Sequence, residues 1–197
     1  MERCRLGRPA RFKEADLIAA ATTLAARLGP ARTSIAAIAR EASAPVGSVY
    51  HRYPSRGALL AEAWIVAAEA FGGQFLTVLN SARTPEAAVE AALVTPRFAR
   101  ADHAGGVVLF VHRRDDFLDE APEESRARAA KQTSAMLNGL AQAARRLLPQ
   151  DPRAREKLAV ALIGIPYGAV RVFLPQAVPP KELDAVIAAA ARAAIGH

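Results

Sequence analysis

The sequence predicts an all-α fold, in which a short N-terminal three-helix unit is joined by one long helix to a larger helical domain. Three observations carry this. Hydrophobic residues make up 52% of the 197 positions but aromatics only 6%, and much of the difference is Ala, the strongest helix former. Apolar residues recur at i, i+3, i+4 and i+7 in one segment after another, the period of a helix with one buried face. Gly and Pro fall between those segments, where they end one helix or open the next.

Taken in order, residues 1–11 (MERCRLGRPAR) are basic and aperiodic, an arm ahead of the first helix. Residues 12–28 form that helix, with Leu17, Ala21, Leu24, Ala25 and Leu28 on one face, and Gly29-Pro30 ends it. Glu14, Asp16 and Arg27 interrupt or flank this apolar run too closely for a signal peptide. The stretch Thr33 to Arg56 then reads as two short helices and a tight turn. Ile35, Ile38, Ala39 and Ala42 share one face, and Val46, Val49, Tyr50 and Tyr53 repeat the spacing. Only Ala42-Ser43-Ala44-Pro45 separates them, so the pair forms a helix-turn-helix. Thr33 or Ser34 caps the first helix, Pro45 suits the first turn of the second, and Pro54-Ser55 stops that helix and caps the next.

From Arg56 to about Asn80 a long helix carries a broad apolar stripe, including Leu59, Leu60, Trp64, Phe71, Phe75 and Leu79. No flexible linker separates its start from its remainder. Pro85 opens a helix over 85–100 that Pro96 kinks or ends. Residues 102–118 hold the apolar run Val107–Val111. A helix from Pro122 to about Leu148 opens with Glu123-Glu124 and closes with Arg145-Arg146, the favoured signs at its two dipole ends. Asp151-Pro152 starts another, to about Leu174, and a last helix occupies about 181–195. Residues 158–174 are apolar nearly all round but too short, and too interrupted by Pro166 and Arg171, for a membrane span, and no other stretch is expected to be one.

The helix-turn-helix resembles the DNA-binding segment of TetR-type transcriptional regulators. The matching residues are Thr33, Ile38-Ala39, Ala42, Gly47-Ser48-Val49-Tyr50, Tyr53, Ser55-Arg56 and Leu59-Leu60, a set covering about a quarter of the chain. One position departs: the family usually has Gly at the turn, where this chain has Ser43, which must adopt a positive φ or alter the turn. The resemblance implies residues 1–55 as arm and DNA-binding domain and 56–197 as a helical ligand-binding and dimerisation domain. It implies double-stranded operator DNA, a second copy of the chain and an unidentified small-molecule effector as partners.

Charge agrees with that polarity. Residues 1–60 carry ten Lys/Arg against four Asp/Glu, a balance of +6, whereas residues 61–197 carry sixteen against fifteen. The basic excess therefore sits with the helix-turn-helix, the footprint of a nucleic-acid-binding end. Cys4 is the only cysteine, which excludes an intrachain disulfide or a Cys-rich zinc site and fits a cytoplasmic protein.

Candidate contacts follow. On the second helix of the motif, Ser48 and His51 can hydrogen-bond base edges, Pro45 and Val46 can touch a thymine methyl, and Gly47 is exposed beside them. Thr33, Tyr50 and Arg56 are expected to position phosphates, and Ser34 to contact DNA. Arg8 in the arm reaches phosphates or a minor groove, or else belongs to a solvated terminus. In the larger domain Trp64, Phe71, Phe98, Phe110, Met136 and Tyr167 converge from different helices on an effector pocket, with His112 or Tyr167 as polar anchor; the alternative is plain core. Gly164 and Gly168 allow a close helix approach, and Leu183, Val186, Ile187 and Ala190 share a face of the last helix. Packing within one subunit accounts for them equally well, and the resemblance favours a homodimer. His103, His112, Asp102, Asp115 and Asp116 could ligate a metal, but Asp115 and Asp116 sit beside Arg113 and Arg114, which points to surface ion pairs instead. No phosphate-binding loop, dinucleotide fingerprint, nucleophile elbow or HExxH motif occurs, so no enzyme, cofactor or metal is expected. The expected function is a ligand-responsive repressor. The rivals are an activator or a regulator without ligand, and from another class a helical-bundle enzyme or carrier.

Overall fold

The computed structural model describes residues 13–196, and every regular element among them is helical. In chain order these are α1 (Glu14–Leu28), a 3-10 turn (Pro30–Arg32), α2 (Ile35–Glu41), α3 (Val46–Arg52), α4 (Arg56–Ser81), α5 (Pro85–Ala92), α6 (Val94–Ala101), α7 (His103–Phe110), α8 (Asp115–Leu118) and α9 (Glu123–Leu147). Then α10 (Ala154–Ala159) runs through a π turn (Val160–Gly164) into α11 (Ile165–Arg171), and α12 (Leu183–Ile195) closes the chain.

Two prolines are handled differently from expectation. The helix expected over 85–100 is two helices meeting at Leu93, so Pro96 falls in the first turn of α6, where a missing N–H goes unnoticed. Pro166 lies inside a continuous helical run, just after the π turn, in which the Ile165 N–H reaches back five residues to the Val160 carbonyl. That wider turn relieves the clash and lost bond that proline would impose on an unbroken α-helix.

Apolar burial falls into three clusters. Leu17, Leu24, Ile35, Ile38, Val49 and Leu59 close the N-terminal unit. Phe71, Phe75, Phe98, Phe110, Leu158 and Ile187 belong to the core of the C-terminal helices. Ala25, Leu60, Ile65, Val108 and Phe117 fill the junction between them. Helix α4 supplies residues to all three, so its first turns belong to one unit and the rest to the other without a break. By length and composition α4 is long and apolar enough to cross a membrane, contrary to expectation, but 61% of its apolar window is buried inside the protein.

The junction is tied by its first two residues. The Arg56 guanidinium donates to the carbonyls of Thr33 (2.8 Å) and Pro30 and to the Glu120 carboxylate (3.0 Å). At Gly57 any β-carbon would collide with the backbone of Glu120, so only glycine lets the α8–α9 connection sit this close. Further along, α9 packs on α4: Arg128 pairs with Glu62 (2.8 Å) and Glu69 (2.6 Å), and the Gln132 amide donates to the Ala68 carbonyl (3.1 Å).

Candidate nucleic-acid interface and effector cavity

The helix-turn-helix is built as its sequence demands. Ser34 caps α2 by accepting from the Ala37 N–H (3.2 Å), and Ser55 caps α4 by accepting from Ala58 (3.1 Å). Ser43 takes the positive φ that the turn requires, at 50°. Pro45 occupies the cap of α3, one position before the first turn. Val49, fully buried, and Tyr53, 5% exposed, seat α3 on the unit's core. The Tyr53 hydroxyl also donates to Glu14 on α1 (2.9 Å), and burial together with that carboxylate pushes its pKa well up.

The opposite face of α3 is open. Pro45, Gly47, Ser48 and His51 are exposed, Val46 is 43% exposed and Tyr50 54%. Two expected phosphate contacts are placed elsewhere. Thr33 is buried, 1% exposed, with its hydroxyl donating to the Gly29 carbonyl (2.9 Å), so its side chain locks the turn after α1. Arg56 is committed to the junction already described. Ser34 is exposed beside the motif, and Arg8 lies outside the described residues. The cations that sequence reasoning missed are Arg40 at the end of α2 and Arg52 at the end of α3. Both are exposed and, among the described residues, take part in no ion pair, whereas Arg27 pairs with Glu41 (3.7 Å). Their signal was available: each ends a helix of the motif on its polar side.

In the larger domain a cavity of about 220 Å³ opens between α4, α9 and the π turn. Trp64, Phe71, Met136 and Tyr167 line it, as expected, together with Gln132 and Thr133, which were not. Phe98 and Phe110 do not line it. They are buried behind the wall, their rings 5.7 and 5.3 Å from Phe71, and Phe110 lies 4.7 Å from Tyr167 with the rings tilted. They are core that shapes the wall, in the edge-to-face geometry aromatic pairs prefer.

His112 is also outside this cavity. It borders a separate cleft of about 480 Å³ at the junction, with Arg32, Arg56, Asp116 and Glu120. Its Nε2 is buried without a partner. Burial holds its pKa below the ordinary histidine value, against the opposing pulls of Asp116 and the Ala25 carbonyl. Asp102 caps α7 through the Gly105 N–H (2.8 Å), and Asp115 pairs with Arg113 (3.7 Å).

The C-terminal helices also carry an uncovered apolar face. Val160, Gly164, Gly168 and Val172 recur every four residues along one exposed side, with Val160 54% and Val172 77% exposed. A β-carbon at Gly168 would meet nothing within 4 Å. On α12 Val186 is 63% exposed and Ala190 half-buried. Ile187, 1% exposed, is packed inside its own subunit, and Leu183 is half-buried against that same core.

Known proteins place this geometry. Residues 17–63, which span α1 to the start of α4, match the family model of bacterial regulatory proteins of the tetR family. No curated protein sequence matches the chain. Among solved structures, the fatty acid degradation regulator FadR from Bacillus halodurans is 16% identical with a TM-score of 0.71, over 93% of this chain and 98% of that one. FadR from Bacillus subtilis, in complex with stearoyl-CoA, is 16% identical with a TM-score of 0.70 over the same shares. A TetR family transcription regulator from Marinobacter aquaeolei is 15% identical with a TM-score of 0.68, over 91% and 93%. At such identities the likeness is one of fold, and it extends the match beyond the helix-turn-helix to nearly the whole chain. The match to the tetR family of bacterial regulatory proteins thus rests on residues 17–63, the segment that holds the helix-turn-helix.

Proposed function

We propose that the protein is a homodimeric repressor that grips a palindromic operator and lets go when a small molecule enters the cavity beside Trp64. Residues 1–55 act as the reading head and 56–197 as the effector and dimerisation domain. Ser48 and His51 read base edges, Val46 and Pro45 meet thymine methyls, and Tyr50, Arg40 and Arg52 hold phosphates. The second copy docks on the face of Val160, Gly164, Gly168, Val172, Val186 and Ala190. That spaces two α3 helices to enter successive major grooves, about 34–36 Å apart.

The observation that carries this reading is the continuity of α4. Its start is clamped to the reading head by Arg56, and about two to four turns later Trp64, Ala68 and Phe71 form a cavity wall. A close-packed core cannot absorb a ligand there without moving a helix, and the helix that moves carries the head with it. The ligand must bind the two dimer geometries with different affinity, since otherwise no population shifts.

Selection of duplexes from a random pool by the purified protein tests it. A near-palindromic site should emerge, bound with an affinity that falls steeply with salt as phosphate contacts release counterions. Equal affinity for selected and unselected duplexes would remove the regulator reading.

A further inference from the structure

The cavity's lining also specifies what kind of molecule it accepts. We propose that the effector is an uncharged compound about the size of one substituted ring, carrying at least one O–H or N–H donor. This rests on the effector reading above and narrows it.

Size comes first. The cavity holds about 220 Å³. A cavity of about 150 Å³ accommodates benzene, and pockets for drug-sized ligands begin near 300 Å³. One ring with a few substituent atoms fills this space, and a long acyl chain does not fit within it.

Charge comes second. The cavity is lined by Trp64, Phe71, Gln132, Thr133, Met136, Tyr167 and four aliphatic neighbours, with no Asp, Glu, Lys, Arg or His among the described residues. The cation one turn away on α9, Arg128, is already held by both Glu62 and Glu69. An anion entering here would be desolvated with no counter-ion, which costs far more than burying a neutral group.

Polarity comes third. The Gln132 amide N–H donates to the Ala68 carbonyl, which leaves its own carbonyl oxygen free to accept. The Thr133 hydroxyl donates to the Ala129 carbonyl (3.1 Å), and its oxygen keeps lone pairs to offer. Burial pushes the Tyr167 phenol up to about 12, so it stays protonated at neutral pH and both donates and accepts. The wall therefore presents the Gln132 and Thr133 oxygens as acceptors beside donors at the second Gln132 N–H and the Tyr167 hydroxyl. A ligand lacking a donor leaves the Gln132 and Thr133 oxygens unmatched.

Three para-substituted toluenes of similar size separate these terms: 4-methylphenol, 4-methylanisole and 4-toluate. Each is titrated into the full-length protein at pH 7, with fluorescence of Trp64, the only tryptophan, as readout. We expect 4-methylphenol to bind about fivefold or more tighter than 4-methylanisole, one hydrogen bond's worth, and about tenfold or more tighter than 4-toluate. Thr133→Val should erase part of the first preference and leave 4-methylanisole nearly unchanged, because an ether brings no proton to the Thr133 oxygen. Equal or tighter binding of the anion, or no binding of any probe, overturns the inference. Binding of the selected operator duplex is measured on the same samples. If it is intact while the probe order fails, only this inference falls; if no duplex is preferred, the regulator reading falls with the probe order still informative.

Discussion

Two surfaces of this molecule leave large apolar side chains in water, and they differ in what surrounds them. On α3, Val46 and Tyr50 stand beside Ser48 and His51, with the exposed cations Arg40 and Arg52 at the ends of the two motif helices. On the C-terminal helices, Val160, Val172 and Val186 stand beside Gly164, Gly168 and Ala190. Exposure alone does not name a partner. Cations and hydrogen-bonding side chains around an apolar ridge suit a polyanion whose grooves hold methyl groups and base edges. Small residues around an apolar ridge suit another helix at close range, and hence a second copy of the chain.

The sharpest way to break that contrast is to fill the second surface. Gly168→Leu should turn the dimer into monomer and lower operator affinity by about a hundredfold or more, because two half-sites would no longer be bound as one. Its thermal stability at low concentration should hold, since nothing within 4 Å resists a β-carbon there. Size-exclusion chromatography with light scattering decides it; an unchanged dimer would place the partner elsewhere.

Next in size is the junction. Arg56→Ala removes two charged hydrogen bonds to backbone carbonyls and the Glu120 pair. We expect a loss of about 2–3 kcal/mol in urea unfolding. A loss of DNA affinity with unaltered stability would return Arg56 to the phosphate contacts.

Arg40→Ala and Arg52→Ala sharpen the first surface. Each should weaken all duplexes alike and reduce the salt slope by about 1. Ser48→Ala should instead change preference at one base pair by about 1 kcal/mol.

The smallest effect is the pH response of His112. Its folded pKa lies below its ordinary value of about 6.5, so the unfolded chain takes up the proton first. Stability is full above that ordinary value, falls as pH drops through it, and levels off below the folded pKa. His112→Gln should remove this part of the acid sensitivity in thermal melts run from pH 8 to 5.

Much of the reading head was legible because its rules are local. Helix period, the Ser34 and Ser55 caps and the αL demand on Ser43 are each fixed within a few residues. Arg56 goes to the junction because its partners, the carbonyls of Pro30 and Thr33, become neighbours only when the turn after α1 folds back on α4, whereas the Thr33 hydroxyl is drawn inward by a carbonyl only one turn earlier, at Gly29. The cavity was legible in part. Aromatic residues on different helices do converge, but which of them face a void and which stand behind it is decided by packing. Phe98, Phe110 and His112 went the other way for that reason. Gln132 and Thr133 were missed because polar residues on a strongly polar helix read as its wet side. Ile187 shares a stripe with Val186 in sequence, and one residue of helical rotation puts it inside and Val186 outside.

The central claim is that occupancy of the cavity and grip on DNA are coupled through α4. Ala68→Phe tests it without any ligand, because Ala68 lines the cavity and a phenyl group placed there occupies it permanently. Affinity for the selected operator duplex should fall about 5–150-fold, a coupling of about 1–3 kcal/mol, while the protein stays folded and dimeric. A folded Ala68→Phe dimer that no longer binds 4-methylphenol yet holds the operator with unchanged affinity would contradict it.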